Sequence, residues 1–251
     1  MKLIKLFIAF LALSAIAGLS FGLYSTENPG ETLSNYQNTY DCHPAVIHTP
    51  DSVGEVQQIV QDAIANGQTI MTGNRKFASQ IDAACAGDGQ VQITLEKMNH
   101  ILAFDAEAKT VSVEAGMRFN DLNDFLRSQE LAINMVTELN IFTIGGMLGS
   151  GTHGSTLAKP SNMIADYVTS MTIVNGLGEV QVLTGEALNA ARVNLGVLGV
   201  VVEVTLQLEP AFKVLADVQG YRDDTALEDI ILDIARDNYS ANIAWFPGIG
   251  R

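Results

Sequence analysis

Cysteine is scarce. Cys42 and Cys85 are the two in 251 residues, too few for a disulfide-dense scaffold or a zinc site built on thiolates. Histidine numbers four, and His43, His48 and His100 do not fall with acids or cysteines at ligand spacing, which excludes a metal site. No Ser, His and Asp arrangement announces nucleophilic catalysis. Positive charge is short as well, with 14 Lys and Arg against 28 Asp and Glu. Met1–Tyr24 holds two of those basic residues and none of the acids, so the rest carries 12 basic against 28 acidic side chains, a formal −16. A body this acidic argues against nucleic acid or anionic membranes as partners. Internal repeats and low-complexity tracts are missing too. What is present is 47% hydrophobic content, ample for a buried core in one large or two modest domains.

The first 22 residues stand apart. Lys2 and Lys5 precede an uncharged apolar run, Leu6 to Leu13, followed by Ala15-Ile-Ala17 and Ser20-Phe-Gly22. That is the layout of a secretory signal peptide ending at Ala17 or Gly22. An uncleaved N-terminal anchor is the other reading, because the uncharged stretch Leu6 to Tyr24 approaches the ~20 residues of a membrane span. Both readings export the body, to a periplasmic or secreted location, and only the second adds membrane association. An oxidising compartment permits Cys42 and Cys85 to pair; two unrelated thiols are the alternative.

A polar linker over 23–39 leads to Asp51-Ser52-Val53-Gly54-Glu55, a capping box in which the Ser52 hydroxyl and Glu55 carboxylate satisfy helix-start donors. The helix that follows shows Val56, Ile59, Val60, Ala63 and Ile64 on one face, and Asn66-Gly67 ends it before a strand, Gln68 to Thr72. A loop, Gly73-Asn74-Arg75-Lys76-Phe77-Ala78-Ser79, comes next, at a strand end where ligands commonly sit in α/β layers. Strands are expected at Val91 to Leu95, Ile101 to Asp105 and Val111 to Glu114, then a helix from Phe119 to Ser128 and a strand from Ala132 to Val136. Beyond the glycine run described next, Val168 to Val174 and Glu179 to Leu183 form an antiparallel hairpin around Asn175-Gly176-Leu177-Gly178. A helix over Ala187 to Val193 leads into Gly196-Val-Leu-Gly199 and a long strand, Val200 to Leu208. After Pro210 the pattern gives a strand (Phe212 to Gln219), a helix (Thr225 to Asp237) and an extended piece (Asn242 to Pro247). About 40 residues are too few for an independent core, so 211–251 reads as the beginning of an incomplete second domain.

The run Thr143-Ile-Gly-Gly-Met-Leu-Gly-Ser-Gly-Thr-His-Gly-Ser155 is the informative stretch. Gly145, Gly146, Gly149, Gly151 and Gly154 leave its backbone without side-chain cover. Such a run lets a large ligand approach the main chain, and its exposed N–H groups are expected to form an anion-binding nest suited to phosphates. It is not a Walker loop, since no Gly-Lys-Ser/Thr ends it. Its Gly149-Ser-Gly-Thr-His-Gly154 match to GxGxxG does not directly follow a strand that opens a βαβ unit. A GxxxG membrane-helix reading of Gly145 and Gly149 fails on its flanks, with His153, Lys159 and Pro160 close by. His153, inside the loop, is a candidate hydrogen-bonding wall beside a ring system; the alternative is an ordinary structural histidine.

Taken in order, Asp51 to Val60, Gly73 to Ser79, Met98-Asn-His-Ile-Leu, Val113-Glu-Ala-Gly116, Thr143 to Ser155 and Ala190 to Val201 resemble the FAD-binding domain of the vanillyl-alcohol oxidase/p-cresol methylhydroxylase type. Within it the chain looks like the sugar-1,4-lactone oxidases, the L-gulonolactone and D-arabinonolactone oxidase group, over residues 40 to 251. The resemblance implies an α+β fold: a two-lobed FAD-binding domain over 40–208, with lobes of about 40–98 and 99–208, followed by the start of a substrate or cap domain.

It also implies site residues. Gly73, Asn74, Arg75, Lys76, Phe77, Ala78 and Ser79 would wrap the FAD pyrophosphate. Thr143, Gly146, Gly149, Ser150, Gly151, His153 and Gly154 would line the flavin and the remaining phosphate contacts. Val201 would touch the adenine end, and Thr137 would lie near the flavin edge. Cys42 and Cys85 stand where secreted relatives carry cysteines, which favours their pairing.

Two departures qualify the picture. The histidine that many relatives bond covalently to flavin is replaced at that slot by Ala78, so FAD is expected to be held non-covalently. The family's substrate-facing acid and base come mostly from the C-terminal domain, so no catalytic residue is assigned here. The implied activity is oxidation of an aldonolactone or related polyol, with O₂ or another acceptor taking the electrons. The alternative is a truncated FAD-binding module that needs a further domain or partner chain for turnover. A cell-wall precursor reductase of the same fold fits the export signal poorly. Because the signal lacks twin arginines, FAD is expected to be acquired after translocation.

Overall fold

The computed structural model describes residues 30–73, 78, 85–135, 137, 139–158, 162–220 and 227–246. The signal segment, the first part of the linker, and Asn74, Arg75, Lys76, Phe77 and Ser79 of the first candidate loop lie outside the described residues.

Two sheets organise the chain. The first is parallel and three-stranded, in the order β3 (Val46–His48), β5 (Val91–Ile93), β4 (Ile70–Thr72). Val91 sits opposite both Val46 and Ile70, which places a fully flanked apolar strand at the centre. The second is antiparallel and five-stranded, in the order β10 (Val180–Leu183), β9 (Val168–Val174), β11 (Val200–Gln207), β7 (Thr110–Glu114), β6 (Ile101–Asp105). Its middle strand β11 is β-branched and buried at Val200, Val201 and Val202, as a strand between two neighbours should be. Two short pairs complete the set: β1 (Leu33–Ser34) with β2 (Asp41–Cys42), and β8 (Leu131–Ala132) with β12 (Glu209–Pro210).

Helix α1 (Val53–Ala65) joins the two sheets. Ser52 caps it by accepting the Glu55 N–H, but the Glu55 carboxylate takes the Asp51 N–H, one residue outside the box expected from sequence. Val56, Ile59, Val60 and Ala63 are buried, each large side chain contributing about 1.5–3 kcal/mol. Ile64, expected on the same face, is exposed. On the far side, Gln57 Nε2 donates to the Gly178 carbonyl at 3.1 Å, which ties α1 to the turn of the β9–β10 hairpin.

Helix α2 (Phe119–Ser128) has the expected bounds, with Phe119, Leu122 and Leu126 buried and Phe125 edge-on to Phe104 at 5.2 Å. Its N-cap, Arg118, does not cap the helix with its side chain. The first-turn donors are met by backbone instead, Phe119 N–H by the Phe142 carbonyl and Asn120 N–H by that of Asn140. The segment just before the glycine run is thereby fixed to α2.

The sequence-based strand at Phe212 to Gln219 is absent, and the described part of the extended piece at 242–247 joins no strand. Residues 211–220 are exposed throughout and join no strand ladder, Ala211 N–H reaching the Glu130 carbonyl at 2.9 Å, and a strand has no existence apart from its ladder partner. Helix α5 (Leu227–Asp237) forms as its periodicity predicts yet buries none of its residues. No described helix is long and apolar enough to cross a membrane.

Cys42 and Cys85 are joined, their Cα atoms 6.1 Å apart across 43 positions. With Leu33 and Ile47 they form a small core of their own, against which Ala78 packs. Closing a loop of this length restricts the unfolded chain by about 4 kcal/mol in the chain-entropy treatment. Double replacement of Cys42 and Cys85 by serine is expected to lower the unfolding free energy by about 2–4 kcal/mol, measured by urea titration of the oxidised parent and the variant.

Candidate functional site

The glycine run is built against the end of strand β7. Ile144 N–H donates to the Met117 carbonyl at 2.9 Å, and Gly145 N–H to that of Ala115 at 2.8 Å. A methyl group on Gly145 would stand 3.1 Å from the Ala115 Cβ, and one on Gly116 would stand 1.8 Å from the Leu95 carbonyl oxygen. Those two glycines therefore serve close packing of main chain on main chain.

From there the run forms a helix, α3 (Ile144–Gly149), capped by the Thr143 hydroxyl accepting from Gly146 N–H. It closes with a Schellman turn: Gly151 N–H reaches the Leu148 carbonyl, Thr152 N–H reaches that of Met147, and Gly151 adopts φ +69°. Ile144, Met147 and Leu148 are fully buried. The opposite side shows Gly146 and Ser150 exposed and Gly149 half-buried. A Cβ on Gly149 would meet nothing within 4 Å. One helical face thus offers its backbone bare, and only the Ser150 hydroxyl stands on it, turned back to the Gly146 carbonyl at 2.9 Å.

This corrects the expectation of an anion nest. The N–H groups of Ile144, Gly145, Gly146, Met147, Ser150, Gly151, Thr152 and Gly154 all have partners within the chain. A helix whose donors are engaged attracts a flat apolar body by contact more than it attracts a phosphate.

After α3 the chain pairs antiparallel with the segment before β9. Gly154 N–H donates to the Asn162 carbonyl at 2.8 Å, Ile164 N–H to that of Thr152 at 3.2 Å, and His153 bridges Met163. His153 is exposed, its Nδ1 3.0 Å from the Gly154 carbonyl. Thr137, further back, turns its hydroxyl to the Leu139 carbonyl at 2.8 Å.

Three features escaped the sequence reading. The first is the loop between α4 (Gly185–Ala191) and β11. Leu195 N–H donates to the Gly149 carbonyl at 3.1 Å, while Val193 lies against Gly151. Leu195 and Val197 are 75% and 81% exposed and Leu198 is exposed as well, so an aliphatic shelf borders the bare helix. Val201, the residue expected to touch the adenine, is 8% exposed and part of the core; the accessible apolar surface on that side lies earlier, at Leu195 to Leu198. The shelf was legible as Val193-Asn-Leu-Gly-Val-Leu198, too apolar for a solvated loop.

The second is Gln92, a fully buried amide in the middle of β5. Its Nε2 donates to the Gly73 carbonyl and its Oε1 accepts from Ala86 N–H, so one side chain fixes the two ends of the segment that carries the first candidate loop. Within that loop, Gly73 N–H donates to the Ile93 carbonyl and the Ala78 carbonyl accepts from Tyr36 N–H. A lone glutamine inside Val91-Gln-Ile93 was the available signal.

The third is Asn162, 5% exposed, with neither Oδ1 nor Nδ2 hydrogen-bonded. Among the described residues no three His, Cys, Asp or Glu gather to hold a metal ion.

Residues 44–184 match the family model of the FAD binding domain, more than half of the chain. The chain belongs to this FAD-binding family. It is 33% identical over 226 residues to L-gulonolactone oxidase of Mus musculus, an alignment that takes in 87% of this chain and 49% of the relative. It is 30% identical over 204 residues to D-arabinono-1,4-lactone oxidase of Kluyveromyces lactis, covering 78% and 38%. The chain therefore spans about half the length, or less, of the curated relatives it matches. Among solved structures, 6-hydroxy-D-nicotine oxidase from Arthrobacter nicotinovorans superposes with a TM-score of 0.62 at 22% identity, over 72% of this chain and 39% of that one. The fold is the p-cresol methylhydroxylase type of FAD-binding fold, and the cofactor is FAD.

The residues present fit that cofactor. The glycine face of α3 leaves room for a planar ring at Gly149, the aliphatic shelf gives an apolar border, and the unpaired Asn162 carboxamide can satisfy a polar ring edge.

Proposed function

We propose that this FAD-binding chain serves an exported oxidoreductase that oxidises a sugar-1,4-lactone or related polyol. The observation that carries the reading is the side-chain-free face of α3 beside an exposed aliphatic shelf, in a chain whose relatives bear the names of lactone oxidases. FAD, when bound, supplies the acceptor for a substrate hydride and passes the electrons to O₂ or another acceptor. Thr143, Gly146, Gly149, Ser150, Gly151, His153 and Gly154 bound the cofactor on one side, and Leu195, Val197 and Leu198 exclude water along its border. Gly73 to Ser79 are assigned to the pyrophosphate in this reading, and Gln92 bonds the Gly73 carbonyl where that loop begins. The domain arrangement in this reading is 40–208 for the cofactor and 211–251 for the start of the substrate side. Export agrees with the Cys42–Cys85 bond and with the signal-like first 22 residues.

The flavin is held without a covalent bond. Ala78 offers only a methyl group, packed against the disulfide cluster. Acid precipitation is expected to leave yellow flavin in the supernatant; flavin that stays with the pellet refutes non-covalent binding.

A second reading, a cofactor module completed by a further domain or chain, is favoured by the tail. Helix α5 buries nothing, and Phe212, Leu215, Val218, Trp245 and Phe246 are exposed. Anaerobic addition of L-gulono-, L-galactono- and D-arabinono-1,4-lactone to the FAD-loaded chain separates the two. Bleaching of the visible flavin bands by any of them supports turnover by the chain itself. A bound flavin that none of them bleaches supports the module, and failure to bind FAD at all overturns both.

A further inference from the structure

We infer that Asn162 is a cofactor-positioning residue: its carboxamide hydrogen-bonds the flavin nucleotide that covers the glycine face, and discriminates for a ring edge carrying a donor beside an acceptor. The inference rests on the reading of that face as the cofactor site.

Asn162 is held next to the glycine run by its own main chain, its carbonyl accepting the Gly154 N–H at 2.8 Å. The neighbouring bridge between His153 and Met163 keeps the two segments in register. Its side chain, by contrast, is bonded to nothing. Both Oδ1 and Nδ2 are shielded from solvent and lack a partner in the residue's 5%-exposed setting. Native chains leave few buried side-chain amides in that condition, because each unmet group carries its full desolvation cost.

Among the described residues, Asn120 Oδ1 is also buried without a partner, but other fully buried amides are satisfied. Gln92 bonds at both ends, and Asn194 donates to the Ala191 carbonyl while accepting from Gly196 N–H. Asn162 is set apart because both of its amide atoms lack a partner, and its main chain pairs with Gly154, at the end of the run whose helix shows the side-chain-free face.

The chemistry that answers it is specific. A carboxamide presents one acceptor oxygen and two N–H donors from a single plane. A partner with adjacent donor and acceptor atoms meets both at once, as do the imide edge of the flavin pyrimidine ring and the amidine edge of adenine. Since neither amide atom has a bond to lose, turning the side chain toward such an edge breaks no hydrogen bond and makes two.

The test compares FAD binding to the flavin-stripped chain and its melting temperature for the parent, Asn162→Leu and Asn162→Ala. Loss of a doubly bonded buried amide predicts a dissociation constant for FAD raised roughly ten- to a hundredfold. Leucine, of similar volume and without polar atoms, is expected at the same time to leave the melting temperature of the stripped chain unchanged or a few degrees higher. A merely structural residue cannot combine the two signs. The visible bands locate the contact: a shift relative to the parent assigns it to the flavin ring, and weakened binding without a shift assigns it to the adenine side. Parent-like affinity in both variants overturns the inference, as does a stripped Asn162→Leu that melts lower with FAD affinity unchanged, since the amide then serves a buried water. The alanine variant supplies the affinity should leucine prevent folding. Gly149→Leu is the control for the underlying reading. If it binds FAD like the parent, the glycine face is not the site; if it loses FAD while the Asn162 variants keep it, only the role of Asn162 falls.

Discussion

Gly116→Ala is expected to yield a chain that does not reach the native state at 37 °C. The added methyl would lie 1.8 Å from the Leu95 carbonyl oxygen and 2.6 Å from that of Met98, both main-chain atoms that no side-chain rotation can move. Gly116 N–H is itself bonded to the Met98 carbonyl at 2.9 Å, so the clash falls on the contact that joins the end of β7 to the segment after β5. Relief requires moving Ala115–Met117, whose carbonyls receive Ile144 and Gly145 and so set the start of α3. Overpacking of a rigid contact typically costs about 1–3 kcal/mol, and more where backbone must shift. Against a total of roughly 5–15 kcal/mol, a loss above that range abolishes useful stability. The expected readout is insoluble expression or a urea midpoint lowered by more than 1 M; a variant that melts with the parent would show that the β7 turn is not rigid. Gly199→Ala should behave alike, with φ +130° and a methyl 2.2 Å from the Val174 carbonyl oxygen.

Much of this framework was legible in the residues because it is written in local periodicity. The α2 bounds, the β9–β10 hairpin and strands β6 and β7 follow from period 3.6, period 2 and the Asn175-Gly turn, signals that depend on near neighbours. The failures share a cause. Phe212 to Gln219 alternates as a strand does, but a strand needs a ladder partner that no local pattern can supply. The glycine run was read as a loop with open backbone, whereas three of its glycines lie in a helix at a cost near 1 kcal/mol each. Tertiary bonds from Met117 and Ala115 and the burial of Ile144, Met147 and Leu148 outweigh that cost and wind it into α3. Composition pointed to a backbone without side-chain cover, which α3 shows at Gly149, but most of the run's amides are engaged within the chain and do not stand free as a nest. Gln92 and Asn162 were missed for a related reason, since a single amide in sequence looks the same whether it is solvated, doubly bonded or unpaired.

The same Gly→Ala change at Gly149 should have the opposite sign. At Gly149 the backbone is helical and the space beyond a Cβ is empty, so alanine relieves the helix of a glycine and is expected to raise the stability of the flavin-stripped chain by about 0.5–1 kcal/mol. Leucine there should fold equally well and project a side chain across the face shared by Gly146 and Ser150. If a ring stacks on that face, the added carbons occupy its volume, and FAD affinity should fall at least tenfold for alanine and a hundredfold or more for leucine, following an overpacking cost of about 1–3 kcal/mol. Titration of the stripped chains by flavin fluorescence, beside their urea curves, reads both quantities. The two glycines thereby separate the two uses of missing side chains in one protein. Gly116 is bare because protein already fills the space, and Gly149 is bare because something else must. Normal FAD binding by a stable Gly149→Leu would mean that the open face of α3 has another occupant and that the cofactor lies elsewhere on the fold.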